Sequence, residues 1–125
     1  YLAFSSPFDV VDSKPGAGSV HLYKRNRTGT GNWFLVRSFV SPSPTISGSF
    51  GLSLGFSGNA LLVGAPGDDG GEGAGYLFER NQGGPDEWEM SRHFAPNALQ
   101  PGDDFGAACG IDGDTIALLP PASGG

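Results

Sequence analysis

The residues best suited to chemistry in this sequence form an acidic cluster among glycines, just after Pro66. Asp68, Asp69 and Glu72 could offer carboxylate oxygens to a calcium ion, which takes about six to eight oxygen ligands. Asp and Gly also form tight turns readily, so the same segment is typical of a simple loop. We predict a turn with no bound metal or other cofactor. If calcium binds, these three carboxylates are the candidate ligands.

The two histidines are the other residues that could act on a substrate. No Ser or carboxylate stands at a recognisable catalytic spacing from His21 or His93, and spacing alone neither establishes nor excludes a triad. We predict ordinary surface or strand histidines and no catalytic site. The Gly-x-Gly-x-Gly run over residues 71–75 precedes a predicted strand. A dinucleotide-binding glycine motif precedes a helix, so we do not predict a dinucleotide site.

Composition and charge narrow the classes of partner. The chain has 125 residues, with 13 acidic and 7 basic side chains and a formal net charge of −6. This balance argues against nucleic acid and anionic membrane surfaces as partners. No apolar run approaches the roughly 20 residues that span a bilayer, so we predict no membrane insertion. The single cysteine, Cys109, excludes an intrachain disulfide, and we predict a buried, unreactive thiol.

The elements that position these residues are read most clearly from residues 50–66. Apolar residues alternate with Gly and Ser over residues 50–57, which predicts a strand with one apolar face. The tripeptide 57–59 favours a tight turn, and a second apolar run over residues 60–63 ends at Gly64-Ala65-Pro66. The pattern predicts a buried β-hairpin.

The same pattern recurs at a constant offset of 55 positions. Phe105-Gly106 repeats Phe50-Gly51, Trp88 repeats Trp33, and Arg92 repeats Arg37. Near the N-terminus the offset is 59, where residues 2–7 resemble residues 61–66. A period near 50 residues with several short strands is typical of a β-propeller.

The repeat divides the chain into one full and two partial units. The full unit covers residues 50–95, with predicted strands at 50–57, 60–65, 74–81 and 87–95 and no helix. Partial units cover residues 1–40 and 105–119, and residues 120–125 form a tail. We therefore predict an all-β chain of four-stranded antiparallel blades, incomplete as a propeller.

The motif set resembles the FG-GAP repeat, the blade unit of integrin α-subunit propellers and of many surface proteins. Phe50-Gly51, the hairpin and Gly64-Ala65-Pro66 carry the resemblance, which covers nearly the whole chain. It implies blades arranged around a central axis, usually about seven of them. It also implies an extracellular or cell-surface location, although the chain shows no signal peptide.

The resemblance implies a calcium loop in the hairpin of each blade, and here the sequence departs from the family. The turns at residues 57–59 and 112–114 are too short to wrap an ion. This departure agrees with the prediction of no bound metal.

We expect a non-catalytic module of a recognition or adhesion propeller, whose loops contact a protein or glycan. The alternatives are an accessory domain of a larger secreted enzyme and a structural fragment without its own ligand. The open faces of the partial units predict packing against further blades of a longer chain, or self-association.

Several residues test these expectations. Arg37 and Arg92 should stack on an aromatic ring or form an ion pair between blades. Asn26 begins a possible glycosylation sequon. The residues predicted to be buried are Leu54, Leu61, Val63, Phe105, Cys109 and Ile116, and those predicted on an open apolar face are Phe34, Val36 and Val40.

Overall fold

The computed structural model describes residues 1–25, 31–80, 87–96 and 99–120, which form three antiparallel sheets. The first sheet has the order β1-β2-β3, the second β4-β5-β6-β7, and the third is the pair β8-β9. The predicted all-β class is confirmed. The strands are β1 (Leu2–Ser6), β2 (Ser19–Arg25), β3 (Trp33–Phe39), β4 (Ser53–Ser57), β5 (Ala60–Ala65), β6 (Ala74–Arg80), β7 (Trp88–Phe94), β8 (Ala108–Asp112) and β9 (Thr115–Leu119).

The expectation of no helix is wrong by one turn. The helix α1 (Asp68–Gly71) begins three residues after the end of β5, and three of its four residues, Asp69, Gly70 and Gly71, have positive φ. Alternating apolar residues define strands well, but a run of Asp and Gly has no such signal. The acidic cluster therefore lies in a tight turn, as predicted, although that turn is helical.

The strand predicted to begin at Phe50 begins three residues later. Phe50 is fully buried but lies in a turn, and Leu52 is exposed instead of sharing its face. The alternation proposed for residues 50–56 therefore holds only within β4. The Phe50 N–H bonds to the Ala17 carbonyl oxygen, so Phe50 joins the two sheets and does not extend β4.

The joint between successive sheets occurs twice in the same form. The Phe50 N–H donates to the Ala17 carbonyl oxygen at 2.9 Å, and the Phe105 N–H donates to the Glu72 carbonyl oxygen at 3.0 Å. Ala17 and Glu72 directly precede Gly18 and Gly73. A Cβ atom on either glycine would overlap the carbonyl oxygen of that phenylalanine. Each Phe-Gly pair therefore lies directly on a glycine of the preceding sheet.

The main core lies between the first and second sheets. Trp88 is its largest buried side chain, and the rings of Tyr1 and Phe56 lie 5.4 and 5.8 Å from it. Phe39 packs on Phe78 with 4.6 Å between ring centroids. Members of this cluster come from β2, β3, β5, β6, β7 and the turn at Phe50.

The burial predictions for the hairpins are confirmed in part. Leu61 and Val63 are fully buried. The prediction was wrong for the other four, which are only half-buried: Leu54, Phe105, Cys109 and Ile116. Leu54 lies on an edge strand, and the last three belong to the third sheet or its joint. That sheet has two strands and packs on the second sheet through one face.

The outer strand of the first sheet departs from simple alternation. Phe34 and Val40 are exposed, as predicted, but Val36 is half-buried and packs against the core. A register shift between β2 and β3 places Leu35 opposite Tyr23 and Arg37 opposite Leu22, so the intervening Val36 is an extra residue. This bulge changes the faces on which the flanking residues lie.

Candidate functional site

A buried carboxylate connects the first two sheets. Asp68 follows β5, and its Oδ2 accepts hydrogen bonds from the Tyr76 hydroxyl at 2.6 Å and the Ser41 hydroxyl at 2.8 Å. Tyr76 lies on β6, whereas Ser41 follows β3 of the first sheet. All three residues are buried. This carboxylate therefore serves as a polar anchor between sheets.

The other oxygen of this carboxylate packs against the backbone of Gly48. Asp68 Oδ1 is buried without a hydrogen-bond partner within the described ranges, and it lies against Gly48, where a Cβ atom would overlap it. Burial raises the pKa of Asp68, although the Tyr76 and Ser41 hydrogen bonds oppose the shift. Burial and the neighbouring carboxylate likewise raise the pKa of Tyr76.

The remaining predicted ligands lie apart from this anchor. Asp69 Oδ2 lies 3.5 Å from His93 Nε2 at the surface, and the His93 ring stacks on Tyr76 at 4.7 Å. Glu72 is half-buried, and its carbonyl oxygen accepts the Phe105 N–H. In the part of the chain that the structure describes, no three His, Cys, Asp or Glu side chains converge as a metal site. The three acidic residues predicted together are therefore not brought together.

The repeat places a second polar cluster in the first sheet. His21 corresponds to Tyr76 and Ser38 to His93 at the 55-residue offset, and Asp9 corresponds to Asp68 at the 59-residue offset. Two bonds support the last match, because the Gly18 N–H donates to the Asp9 carbonyl and the Gly73 N–H donates to the Asp68 carbonyl. The histidine lies between two hydroxyls: Nδ1 is 2.8 Å from Ser38 Oγ, and Nε2 is 3.1 Å from Ser19 Oγ.

These groups form a directed chain of hydrogen bonds. Ser19 donates its hydroxyl proton to Asp9 at 2.7 Å, so in the neutral ring His21 Nε2–H donates to Ser19 and Nδ1 accepts from Ser38. Reasoning from sequence spacing missed this arrangement, although the repeat offsets could have indicated it.

The position of these hydrogen-bonded groups suits contact with a surface ligand better than acyl transfer. Asp9 and Ser38 are exposed, and the His21 side chain keeps 30% of its surface accessible. Hydrolytic serines work in clefts that exclude water and hold the acyl group, whereas these groups lie on a sheet surface. They can offer hydrogen-bond donors and acceptors to a polar ligand.

The predicted interactions of the repeated arginines are confirmed. The Arg37 guanidinium lies 4.7 Å from the Phe39 ring and 3.8 Å from Glu89 of the second sheet. Arg92 lies 5.8 Å from the Phe94 ring. A groove of about 380 Å³ beside the Arg37–Glu89 pair runs between the outer strands of the two sheets.

The remaining sequence predictions concern the cysteine, the possible sequon and membrane spans. Cys109 is half-buried, and burial raises the pKa of its thiol, which favours the unreactive protonated form. The possible sequon at Asn26 lies outside the described residues. No helix within those residues is long and apolar enough to cross a bilayer.

No protein-family model matches the chain, and no curated protein matches it. The repeated joints and the two polar clusters therefore carry the functional argument by themselves.

Asp68 should make stability depend on pH in a direction opposite to that of most carboxylates. Its folded pKa lies above 3.8, so the folded state holds the proton more tightly than the unfolded state. The free energy of unfolding that Asp68 contributes should be greatest below pH 3.8 and should fall as the pH rises through the folded pKa. Urea unfolding of the protein and of Asp68→Asn across this range measures the effect.

The variant does not titrate at this position, so the difference between the two proteins reports Asp68 together with its charge interactions with Asp69 and His93. The original protein should lose stability relative to Asp68→Asn as the pH rises. A constant difference, or one of the opposite sign, would contradict the raised pKa.

Calcium should leave the melting temperature unchanged. The hairpin turns are short, Asp68 already accepts two hydrogen bonds, and Asp69 lies beside His93. A ligand at about a hundred times its Kd would stabilise the fold by about 2.7 kcal/mol. Melting curves with calcium and with a chelator check this. A calcium-dependent rise that Asp69→Asn removes would show that the turn binds the ion.

Proposed function

We propose that the chain is a non-catalytic module of an FG-GAP-type β-propeller that acts in recognition or adhesion outside the cell or at its surface. Each sheet is one blade, and exposed loops and polar groups contact a protein or glycan. The observation that carries this proposal is the repeated joint, in which Phe50 lies on Gly18 and Phe105 lies on Gly73 with the same backbone hydrogen bond. A joint that recurs in this way can add sheets in series.

The open face of the first sheet supports the same proposal. Leu2, Phe4 and Trp33 are 41%, 53% and 48% exposed. Their counterparts in the second sheet, Leu61, Val63 and Trp88, are at most 1% exposed because the first sheet covers them. The first sheet thus presents the face that the repeat elsewhere buries against a preceding sheet, and its natural cover is a further blade.

The polar clusters support a recognition role. The hydrogen bonds from Ser38 through His21 to Asp9 lie on the first sheet and present hydroxyl, imidazole and carboxylate groups to solvent. The Asp69–His93 pair lies at the surface of the second sheet, where His93 corresponds to Ser38, and it presents imidazole and carboxylate groups. Such groups hydrogen-bond well to glycan hydroxyls and to polar peptide groups, and they require no metal.

The purified chain should associate as its concentration rises. The apolar face that includes Phe4 and Trp33 would otherwise remain in water, and exposed patches of this kind drive association. Light scattering over a hundredfold range of concentration measures the mass. A double substitution, Phe4→Ser with Trp33→Ser, should lower the association and leave the buried core intact.

Phe8→Ser is the matched control, because Phe8 is exposed but lies outside the strands. A monomer at every concentration, with one sharp melting transition, would contradict the proposal that these sheets are blades that need neighbours.

A further inference from the structure

The first sheet has a vacant strand position beside β1. In the second sheet, the corresponding strand β5 pairs with β6 on one side and with β4 on the other. In the first sheet, β1 pairs with β2, and no other strand of the described residues lies against it. Comparison of the two repeats therefore identifies the unfilled position beside β1, and β4 shows how a strand fills the same position beside β5.

The backbone of β1 is oriented to accept a strand at this position. Gly64 is the counterpart of Ser5, and its carbonyl oxygen accepts the Gly51 N–H at 2.9 Å on the β4 side. The carbonyl and N–H of one strand residue point to the same side. By the same geometry, both backbone groups of Ser5 point into the vacant position, where they can pair with an added strand.

Charge protects the outer edges of the two larger sheets but not this one. Arg37 lies on β3, and Glu89 and Arg92 lie on β7, whereas β1 contains no charged residue. Charged residues at an edge discourage further pairing, and their absence leaves β1 open to it. Strand β4 is also an uncharged edge, but no strand of the described residues pairs with its outer side.

We propose that β1 takes an additional antiparallel strand from an extended polypeptide segment in which Leu or Phe alternates with Ser or Gly. The model for that segment is β4 itself, Ser-Leu-Gly-Phe-Ser over residues 53–57. The inference rests on the internal repeat and does not depend on the recognition role proposed above.

The alternation follows from what the added strand would meet on each face. On one face, Phe56 of β4 packs 5.8 Å from Trp88, so a large residue of the added strand would cover Trp33, the counterpart of Trp88. On the other face, Gly55 leaves room for Ile111, whose Cγ2 would be 3.0 Å from a Cβ at that position. Phe56 is the counterpart of Ile111, so a small residue must face it.

A synthetic peptide tests the proposal directly. The N-acetylated peptide Gly-Leu-Ser-Leu-Gly-Phe-Ser-Gly copies residues 51–58, so it keeps the Gly51 N–H that bonds to the counterpart of Ser5, and it is titrated into the dilute, intact chain. We expect saturable binding and a blue shift of the Trp33 fluorescence, because this exposed ring becomes covered. Trp88 is already buried and contributes a constant signal. Hydrogen exchange should show new protection of the Ser5 amide.

Three controls separate strand addition from general stickiness. A peptide with Ser in place of both Leu54 and Phe56 should bind at least about tenfold more weakly. Trp33→Phe should remove the fluorescence shift but retain the amide protection. Ser5→Pro removes an outward N–H, which an edge strand tolerates, and it should abolish binding with the melting curve preserved. If Ser5→Pro does not fold, the peptide comparison remains a complete test.

Three results would overturn the proposal. Two are equal binding of both peptides and no binding of either. The other is protection of the Ser5 amide in a dimer of the chain alone, which would make a second copy the occupant. Peptide binding by a chain that remains monomeric would uphold this inference and contradict the proposed stacking of blades, so the two failures are distinguishable.

Discussion

Replacement of Trp88 by Ala is expected to lower the free energy of unfolding by about 3–5 kcal/mol, the usual range for loss of a large core aromatic. The same replacement at Trp33 should lower it by less than about 1 kcal/mol. Trp88 is 1% exposed and lies 5.4 Å from Tyr1 and 5.8 Å from Phe56, whereas Trp33 is 48% exposed. The two residues occupy the same position in the repeat.

The comparison isolates burial because the residue type and the repeat position are matched. Urea unfolding of both variants, at a concentration below the onset of association, gives the two losses. Equal losses would mean that Trp33 is covered in the monomer, and the inference of an open face on the first sheet would then be wrong. A small loss at Trp88 would contradict the core between the first two sheets.

The repeat made much of the strand pattern predictable. Alternating residues located both hairpins, and the 55-residue offset linked each strand to its counterpart, so the four-stranded second sheet followed from the pattern of residues 50–95. Burial was harder to predict. Phe105 copies Phe50 in the sequence, but Phe50 packs on Tyr76 and Phe78, and Phe105 has no such rings in its own two-stranded sheet.

The details of the candidate site could not be read from adjacency in the sequence. Asp68 and Asp69 are neighbours, yet the first points inward to Tyr76 and the second lies beside His93. Left-handed backbone angles at Asp69 and Gly70 separate the two side chains, and the residue types do not reveal those angles. The sequence offered these carboxylates as one set of candidate ligands in case calcium binds, whereas the fold places them in two separate contacts.

The cluster around His21 shows the opposite case, in which distant residues meet. Ser38 lies opposite His21 in the register of β2 and β3, and Asp9 approaches from the loop after β1. A search for catalytic spacing along the chain cannot find such a set, because sheet pairing and not sequence distance brings it together. Aligning the two repeats would have indicated it, because Asp9 and His21 correspond to the hydrogen-bonded pair Asp68 and Tyr76.

The glycines at the joints between sheets should tolerate a single added methyl group poorly. A Cβ on Gly73 would overlap the Phe105 carbonyl oxygen and lie 2.7 Å from its carbonyl carbon, and one on Gly18 would lie 2.6 Å from the Phe50 nitrogen. These contacts are with backbone, which cannot rotate away. Both glycines also have φ near +90°, where other residues are strained.

Gly73→Ala and Gly18→Ala should therefore each lower the free energy of unfolding by about 2–6 kcal/mol, from a strained dihedral and an overpacked contact. Gly110→Ala is the control, since a Cβ there meets nothing within 4 Å and φ is not positive. Its stability should change by less than about 1 kcal/mol. Urea unfolding measures all three. If Gly73→Ala proves as stable as Gly110→Ala, the close contact of Phe105 with Gly73 is wrong, and with it the joint on which the stacking of sheets depends.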